Sequence, residues 1–364
     1  MPDRAEPSTC FIELGEHTAV LARARLDTGP RLITDLREIW LGDPGTAPAE
    51  IGEFFRSVSP AEAVVLLRPR GRSVLRATPD QAVKINGPAA VRQLLLSRFG
   101  PAGESAAWAW CASDTGFPPT AGQVWLLDVL LAPGGGEAFD QLQDWGITPL
   151  RCQSSRLTMA GALAGTIGTM PADLPLLLCD LGETRTDLLV ITGAGLAGFA
   201  TVAAGLGLVV DTLQAALDLR MRGTALRLLF GQGYDFAELA PKLVRPLANQ
   251  LKPALAGLSK RPVRLVCSGL GDGQAWAVNA LGEALGLKAL TLDTVAWAKA
   301  RGLAFADHVR SNDLPPAWLG LLSTVAAFDP DDPAGAVPWQ PAFQKIPAPA
   351  RRMAPEAPRA AKIT

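Results

Sequence analysis

Two apolar runs that flank a short polar turn stand out between residues 174 and 191, near the middle of the chain. Apolar runs of this length, bounded by turn residues, predict the two strands of a hairpin. The turn follows the pattern Asp-x-Gly-x-x-x-Thr and contains Asp180, Gly182, Glu183, Thr184 and Thr186. Its N–H groups could form an anion-binding nest, and Asp180 could hold a water bound to Mg²⁺. The pattern indicates either a phosphate-binding turn or an ordinary hairpin with polar turn residues.

A weaker copy of this pattern lies near the start of the chain. Residues 9–25 predict two strands around a turn that begins at Gly15. Glu13 and Gly15 stand in this copy where Asp180 and Gly182 stand in the later one. Two such hairpins, far apart in one chain, predict a duplicated fold whose turns face a shared cleft.

A third motif, Ser268-Gly269-Leu270-Gly271-Asp272-Gly273, follows a predicted strand and precedes a predicted helix. Taken by itself, this motif resembles a binding site for S-adenosylmethionine or a dinucleotide. A dinucleotide fingerprint requires a further glycine, however, and this chain has Gln274 at that position. Only about two more elements follow, too few for a full doubly wound sheet, so this alternative is the weaker one.

Other runs predict further strands and helices around these motifs. The predicted strands are 33–40, a pair within 63–77, 124–132, 148–152, 262–267 and 288–292. The predicted helices are 48–58, 87–99, 137–145, 155–167, 211–219, 220–230, 236–258, 274–285 and 319–328. Prolines within 236–258 favour a break into two helices. Arg68, Arg70 and Arg72 could bind an anion, although a solvated turn is favoured.

Composition narrows the class of protein. The 34 basic and 35 acidic residues balance, so nothing in the charge indicates a nucleic-acid partner or an anionic membrane surface. Five scattered cysteines favour buried thiols in a reducing compartment, and two histidines offer little material for a metal site. Residues 188–210 lack charge and are long enough to cross a bilayer, but their glycines favour two short buried strands. We expect a cytoplasmic protein, since no signal peptide opens the chain.

The order of the three motifs resembles the phosphate 1, phosphate 2 and adenosine motifs of the actin/Hsp70/sugar-kinase superfamily. Within it, the chain resembles the FtsA/PilM branch, in which a small subdomain is inserted between the two phosphate motifs. Residues 142–149 are similar to that branch's "helix, Gly-Leu-x-Pro, strand" passage. The cytoplasmic part of the type II secretion protein GspL is a close relative of this branch.

The resemblance implies an α/β actin-like fold with two ribonuclease-H-like domains around a central cleft. The first domain would comprise residues 1–59 and 154–173, and an inserted αβ subdomain would comprise 60–153. The second domain would comprise 174–328, with a helical subdomain at about 211–261. Residues 329–364, rich in proline, alanine and basic residues, predict a flexible tail because they lack apolar periodicity.

The resemblance also implies a site for ATP with Mg²⁺. Its binding residues would be Glu13, Gly15, Asp180, Gly182, Glu183, Thr184, Thr186, Gly269, Gly271 and Gly273. Asp180 would hold the metal indirectly, and the third motif's glycines would let the backbone lie against the adenosine.

Several departures from the family pattern predict a degenerate site, a pseudo-ATPase. The first motif has Glu13 where active members have Asp, and Glu16 would place a carboxylate opposite the phosphates. Residues 225–229 carry leucines where the family's adenosine-binding Glu and Lys stand, and Leu270 replaces a glycine. No catalytic base is identified. The alternative is an active Mg-ATPase or a small-molecule kinase of the same superfamily.

We therefore expect an assembly scaffold of a type IV pilus or type II secretion-like platform. By the resemblance, a groove between the insertion and the first domain would take an N-terminal peptide of a membrane-anchored, PilN-like partner. The chain would then lie in the cytoplasm, held at the inner membrane by that partner. No nucleic-acid partner and no transmembrane segment of its own are expected.

Overall fold

A computed structural model describes residues 8–26, 29–43, 45–56, 61–68, 74–77, 106–113, 125–131, 140–167, 174–193, 195–231, 233–258, 260–309, 314–329 and 344–345. The strands, in chain order, are β1 (Thr9–Leu14), β2 (Thr18–Arg25), β3 (Arg31–Trp40), β4 (Glu62–Leu67), β5 (Val74–Ala77), β6 (Ala106–Ser113), β7 (Trp125–Leu131), β8 (Thr148–Ser154), β9 (Leu176–Leu181), β10 (Thr186–Thr192), β11 (Gly195–Val202), β12 (Arg264–Ser268), β13 (Lys288–Ala289), β14 (Leu303–Phe305) and β15 (Gln344–Lys345). The helices are α1 (Thr46–Phe55), α2 (Ser155–Ile167), α3 (Leu206–Ala216), α4 (Arg222–Phe230), α5 (Ala240–Ala256), α6 (Ala275–Leu285), α7 (Thr294–Lys299) and α8 (Leu319–Ala327).

Two sheets repeat one strand order. The first runs β14-β3-β2-β1-β4-β8, and the second runs β11-β10-β9-β12-β13. In each, an antiparallel meander is followed by strands parallel to its first member, β4 in one sheet and β12 in the other. The duplication predicted from the two hairpins is confirmed. Because β1 and β9 occupy equivalent positions, their carboxyl ends carry equivalent turns.

Helix α2 lies between the two sheets. Nearly all of its residues are buried, and it packs against α8, β8, β10 and β11. Its alanines and glycines allow close approach on every side, which explains why a helix without a clear polar face is stable here. The predicted bounds 155–167 are confirmed. A separate apolar cluster between the second sheet and α3, α5 and α6 forms the other core.

The charge-free run at 188–210 contains the two predicted strands, although Thr201 and Ala203 are exposed. It forms most of β10, all of β11 and the start of α3. In the described part of the chain, no helix combines the length and apolarity needed to span a bilayer.

Other predictions need correction. Residues 240–256 form one helix, α5, which contains Pro246 and Pro253, so the predicted break into two helices is wrong. Its apolar face packs on α3 and α6, and this packing compensates for the lost backbone hydrogen bonds. The strands β6 and β14 and the helix α7 were not predicted. The predicted helix 87–99 lies outside the described residues.

The sheet to which each strand belongs changes where the domain boundaries fall. Within residues 60–153, β4 and β8 belong to the first sheet, whereas β5, β6 and β7 form a separate sheet with β15. β14 also joins the first sheet, and α8 packs against α2. We therefore propose narrower limits for the insertion, about 68–147, and assign residues 294–328 to the first domain. Of the predicted tail, residues 344–345 pair with β6, and those after residue 329 otherwise lie outside the description.

Candidate functional site

The two hairpin turns have matching backbone geometry. Gly15 donates its N–H to Thr18 O at 2.9 Å, and Gly182 donates to Arg185 O at 2.9 Å. A Cβ at Gly182 would lie 3.0 Å from that same carbonyl oxygen, so the tight turn leaves little room for a side chain. The turns that the sequence predicted at both positions are confirmed.

The third motif lies beside the second turn because β12 pairs with β9. Ser268 is the register partner of Asp180 and donates its hydroxyl to Asp180 Oδ1 at 2.7 Å. Gly269 follows with a φ of +90°, and a Cβ there would collide with Leu181 O. A Cβ at Gly271 would collide with the Glu38 carboxylate. Gly269 and Gly271, two of the three predicted glycines, thus let other atoms come close to the backbone. Those atoms are the protein's own.

Gly273 and Thr184 are exposed. Thr186 is buried and donates its hydroxyl to Ala204 O at 2.7 Å. Its hydroxyl therefore already has an acceptor inside the protein. The predicted residues do not all converge on one point.

Arg68 lies between the first and second motifs. Its Nε is 3.2 Å from Asp180 Oδ1, and its Nη2 is 3.5 Å from Glu13 Oε1. The Arg68 side chain is only 9 % exposed. The favoured interpretation of Arg68 as part of a solvated turn is therefore wrong, because its side chain contacts Glu13 of β1 and Asp180 of β9. Arg70 and Arg72 lie outside the described residues.

A second buried guanidinium continues the network. Arg156 on α2 is 3.6 Å from Asp180 Oδ2 and forms an ion pair with Asp187. Arg185 lies 3.2 Å from Asp187 Oδ2, and Thr201 donates its hydroxyl to Asp187 Oδ1 at 2.6 Å. Arg156 and Asp187 were not among the predicted site residues. A lone charge inside an otherwise apolar helix or strand was the available signal.

These contacts determine the pKa of both motif carboxylates. Burial raises the pKa of Asp180, but the charges of Arg68 and Arg156 outweigh burial and hold it below the ordinary aspartate value. Burial raises the pKa of Glu13 above the ordinary glutamate value, and Arg68 and the Ser155 hydroxyl only partly oppose it. Asp180 therefore keeps its negative charge more readily than Glu13 does.

A carboxylate of the first turn accepts a hydrogen bond from the backbone of the second turn. Glu16 Oε2 accepts a hydrogen bond from the Glu183 N–H at 2.5 Å. The Glu183 side chain is held by His17 Nε2 at 2.8 Å and by an ion pair with Arg222. The hydrogen bond from His17 lowers the pKa of Glu183, burial opposes this, and Arg222 lowers it further. A carboxylate thus lies where the predicted nest would hold phosphate.

Helix α3 begins against the same turn. Leu206 and Gly207 donate their N–H groups to Gly182 O and Glu183 O, each at 2.8 Å. A helix N-terminus usually offers these groups to an anion, but here two turn carbonyls accept them. Gly205 permits this contact, since a Cβ there would collide with Gly182 O.

The gap between α4 and the third motif is bridged as well. Gln274 is buried and donates its side-chain N–H to Leu229 O at 2.9 Å. Ala225 and Leu229, from the segment that carries leucines in place of the family's Glu and Lys, are both buried in the second core. Arg227 is the one polar residue among residues 225–229, and its side chain is exposed.

The cavity beside the first turn is small. A cavity lined by Glu13, Gly15, Arg68 and Gly269, among others, has a volume of about 20 Å³. That volume suits about one water, whereas sites for small ligands usually measure about 300–1,000 Å³. Among the residues described, no three His, Cys, Asp or Glu side chains are grouped to hold a metal ion. In this arrangement the residues do not fit Mg²⁺ with ATP.

Known proteins place the fold more firmly than the sequence does. No family model and no curated protein matches the chain. One similar solved structure is the PilM–PilN type IV pilus biogenesis complex, with a TM-score of 0.61 and 14% identity over 88% of this chain and 98% of the other. Two more are the ethanolamine utilization protein EutJ from Carboxydothermus hydrogenoformans (TM-score 0.46, 11% identity, 88% and 89% covered) and the archaeal actin homolog Ta0583 (0.40, 12%, 88% and 99%).

The fold is the actin-like, two-domain α/β architecture that the sequence predicted. Within that class, the chain is similar in structure to PilM.

Proposed function

We propose that this chain is an actin-like scaffold whose nucleotide site is filled by its own side chains. It would act as a pseudo-ATPase in a type IV pilus or type II secretion-like platform. A membrane-anchored partner would hold it at the cytoplasmic face of the inner membrane. The observation that carries the proposal is the position of Arg68 between Glu13 and Asp180.

The positive charges of the guanidiniums around Asp180 oppose the binding of a metal ion there. A cation beside Asp180 would meet the guanidiniums of Arg68 and Arg156, and two like charges 4 Å apart repel by about 4 kcal/mol at an effective dielectric constant of 20. Phosphate would likewise meet the Glu16 carboxylate at the second turn. Nucleotide binding would therefore require at least three buried or half-buried side chains to move away together.

The partner is inferred from the similarity to PilM, whose solved structure is a complex with PilN. We propose that a short N-terminal peptide of a PilN-like protein binds between the first domain and the insertion. On the described surface, Leu150 lies at this boundary, on the edge strand β8, and is 44% exposed. An edge strand offers unpaired backbone groups to an extended peptide.

Nucleotide binding is the first test. ATP with Mg²⁺ is titrated while heat and thermal unfolding are followed; a ligand at 100 times its dissociation constant adds about 2.7 kcal/mol to stability. We expect no shift at millimolar ATP. A clear shift that Asp180→Asn abolishes would contradict the pseudo-ATPase and favour an active ATPase or a small-molecule kinase.

Partner binding is tested separately, with a synthetic N-terminal peptide of a PilN-type protein. Leu150→Glu places a charge on the proposed groove, and Val263→Glu changes an equally exposed residue (41%) of the second domain. We expect the first variant to lose the peptide and the second to retain it. Equal binding by both, or none by the unaltered protein, would contradict the proposed partner.

A further inference from the structure

Two buried cysteines lie side by side in the second sheet. Cys179 on β9 and Cys267 on β12 are register partners in a parallel ladder. Both belong to the same apolar cluster, so both side chains are on one face of the sheet, and the Cys267 thiol is near enough to raise the pKa of Cys179. Neither takes part in the site described above.

The first sheet provides an internal contrast. Cys10 and Cys152 are also buried, but their register partners in β4 are Ala63 and Val65. Across those ladders each thiol has a residue without sulfur as its neighbour. A reaction that requires two adjacent thiols would therefore distinguish the second sheet from the first.

Cys267 is reachable, although it is only 3% exposed. It lines a cavity of about 140 Å³ between β12, the start of α6 and residues 315–317. Most of the lining side chains are apolar, and Ala275 and Asn279 at its rim are exposed. A cavity of this size admits a molecule as small as hydrogen peroxide, since one water needs about 10–15 Å³ measured in this way.

We propose that Cys267 and Cys179 form a reversible redox pair whose oxidant is hydrogen peroxide entering through this cavity. The Cys267 thiolate attacks one peroxide oxygen, the O–O bond breaks, and a sulfenic acid and one water form. The Cys179 sulfur then attacks the sulfenic sulfur, and a second water leaves as the disulfide closes. Two thiols and one peroxide thus yield one disulfide and two waters.

The chemistry assigns the order of the two sulfurs. The neighbouring Cys267 thiol and burial raise the pKa of Cys179 well above the ordinary thiol value, so Cys179 is the poorer attacking thiol. Cys267 is also the sulfur that faces the cavity. Cys267 is therefore the attacking thiol and Cys179 the resolving one.

The strand geometry favours a bond that is easily reduced. Neighbouring strands lie about 4.8 Å apart, within the range of Cα separations that a disulfide spans. Parallel partners keep their Cβ atoms almost as far apart as their Cα atoms, which strains the bond and makes it labile. Asp180 and Ser268 directly follow the two cysteines, so the bond would tie together the strand ends that hold the second and third motifs.

The test is mass spectrometry of the folded, full-length protein after exposure to hydrogen peroxide. We expect the loss of two hydrogen masses, one cross-linked peptide pair that contains Cys179 and Cys267, and recovery with dithiothreitol. Cys179→Ser should stop at the sulfenic acid, trapped by dimedone, whereas Cys267→Ser should leave Cys179 unoxidised. Cys152→Ser, the matched control, should form the same disulfide as the unaltered protein.

A disulfide that appears only after unfolding, or one that involves Cys10 or Cys152, would overturn the proposal. The route is tested with Ala275→Leu, which enlarges an exposed side chain at the cavity rim, against Ala237→Leu, an exposed alanine outside the lining. Oxidation should be severalfold slower in the first variant alone. Equal rates in the two variants would overturn entry through the cavity.

Discussion

Arg68 Nε lies 3.2 Å from Asp180 Oδ1, and this ion pair joins the end of β4 in the first sheet to the end of β9 in the second. The guanidinium also reaches Glu13, so one buried cation serves a carboxylate from each motif. A buried ion pair adds little net stability, but removal of one partner leaves an uncompensated charge. Arg68 therefore helps to hold the ends of the two sheets together.

Arg68→Met should lower the free energy of unfolding by about 3–5 kcal/mol, since Asp180 and Glu13 would lose a cation in a buried site. Urea unfolding measures the loss. Arg37→Met is the matched control, because Arg37 is 40% exposed and pairs with Asp35 at the surface. It should cost at most about 1 kcal/mol. Equal losses in the two variants would show that Arg68 does not hold the sheets together.

Arg68 also marks the limit of what the sequence could predict. The local pattern Arg-Pro-Arg-Gly predicts a solvated turn, and nothing nearby in sequence contradicts it. The side chain is buried because Glu13 and Asp180 come from distant strands, and such contacts leave no local periodicity. The hairpins themselves were predictable, since their apolar runs and turn residues are contiguous.

The same distinction applies to α5 and β14. Pro246 favours a helix break when only local hydrogen bonds are considered, but the packing of α5 against α3 and α6 keeps it continuous. β14 has three residues, too few for a clear alternation, and it is a strand because β3 offers its edge. In the site, the turn glycines and the Glu16 carboxylate were predictable, whereas the positions of the Arg68 and Arg156 side chains were not.

Glu16→Ala should free the Glu183 N–H and open the second turn to an anion. The lost charge-assisted hydrogen bond should cost about 1.5–3 kcal/mol of stability. Pyrophosphate should then raise the melting temperature of the variant and leave that of the unaltered protein unchanged. Glu50→Ala, at an exposed position of α1, serves as the control. If pyrophosphate stabilised both the Glu16→Ala variant and the unaltered protein, or neither of them, Glu16 would not occupy a phosphate position.

The contact between Glu183 and His17 should make the junction of the turns sensitive to acid. The pKa of Glu183 is lower in the folded state, so the unfolded state binds more protons in acid. The stabilising contribution is present above the ordinary glutamate pKa, about 4.3, and is lost as the pH falls through the folded value.

Glu183→Gln removes this contribution. The difference in unfolding free energy between the unaltered protein and the variant should be largest near neutral pH and should shrink as the pH falls below about 4.3. Denaturant unfolding at a series of pH values measures it. Glu238→Gln, at an exposed position, should give a small difference at every pH. A difference that grew in acid would have the wrong sign for a glutamate with a lowered pKa.

Gly205→Ala should disrupt the contact between α3 and the second turn. The backbone at Gly205 is extended, with a φ of −152°, so any residue could adopt it. The constraint is instead the close approach of Gly182 O, which accepts the Leu206 N–H. A methyl group would force the helix start away from the turn, and we expect a loss of about 1–3 kcal/mol.

Gly223→Ala provides the matched control on α4, because nothing lies within 4 Å of a Cβ at that position. Replacement of a helical glycine there should stabilise the protein by about 0.5–1 kcal/mol. Urea unfolding of the two variants should therefore give opposite signs. If both variants were stabilised, α3 could begin without its contact to Gly182, and the turn would be free to bind an anion through those same N–H groups. A loss confined to Gly205→Ala would instead show that the helix N-terminus is committed to the protein's own carbonyls, which leaves a phosphate without its donors.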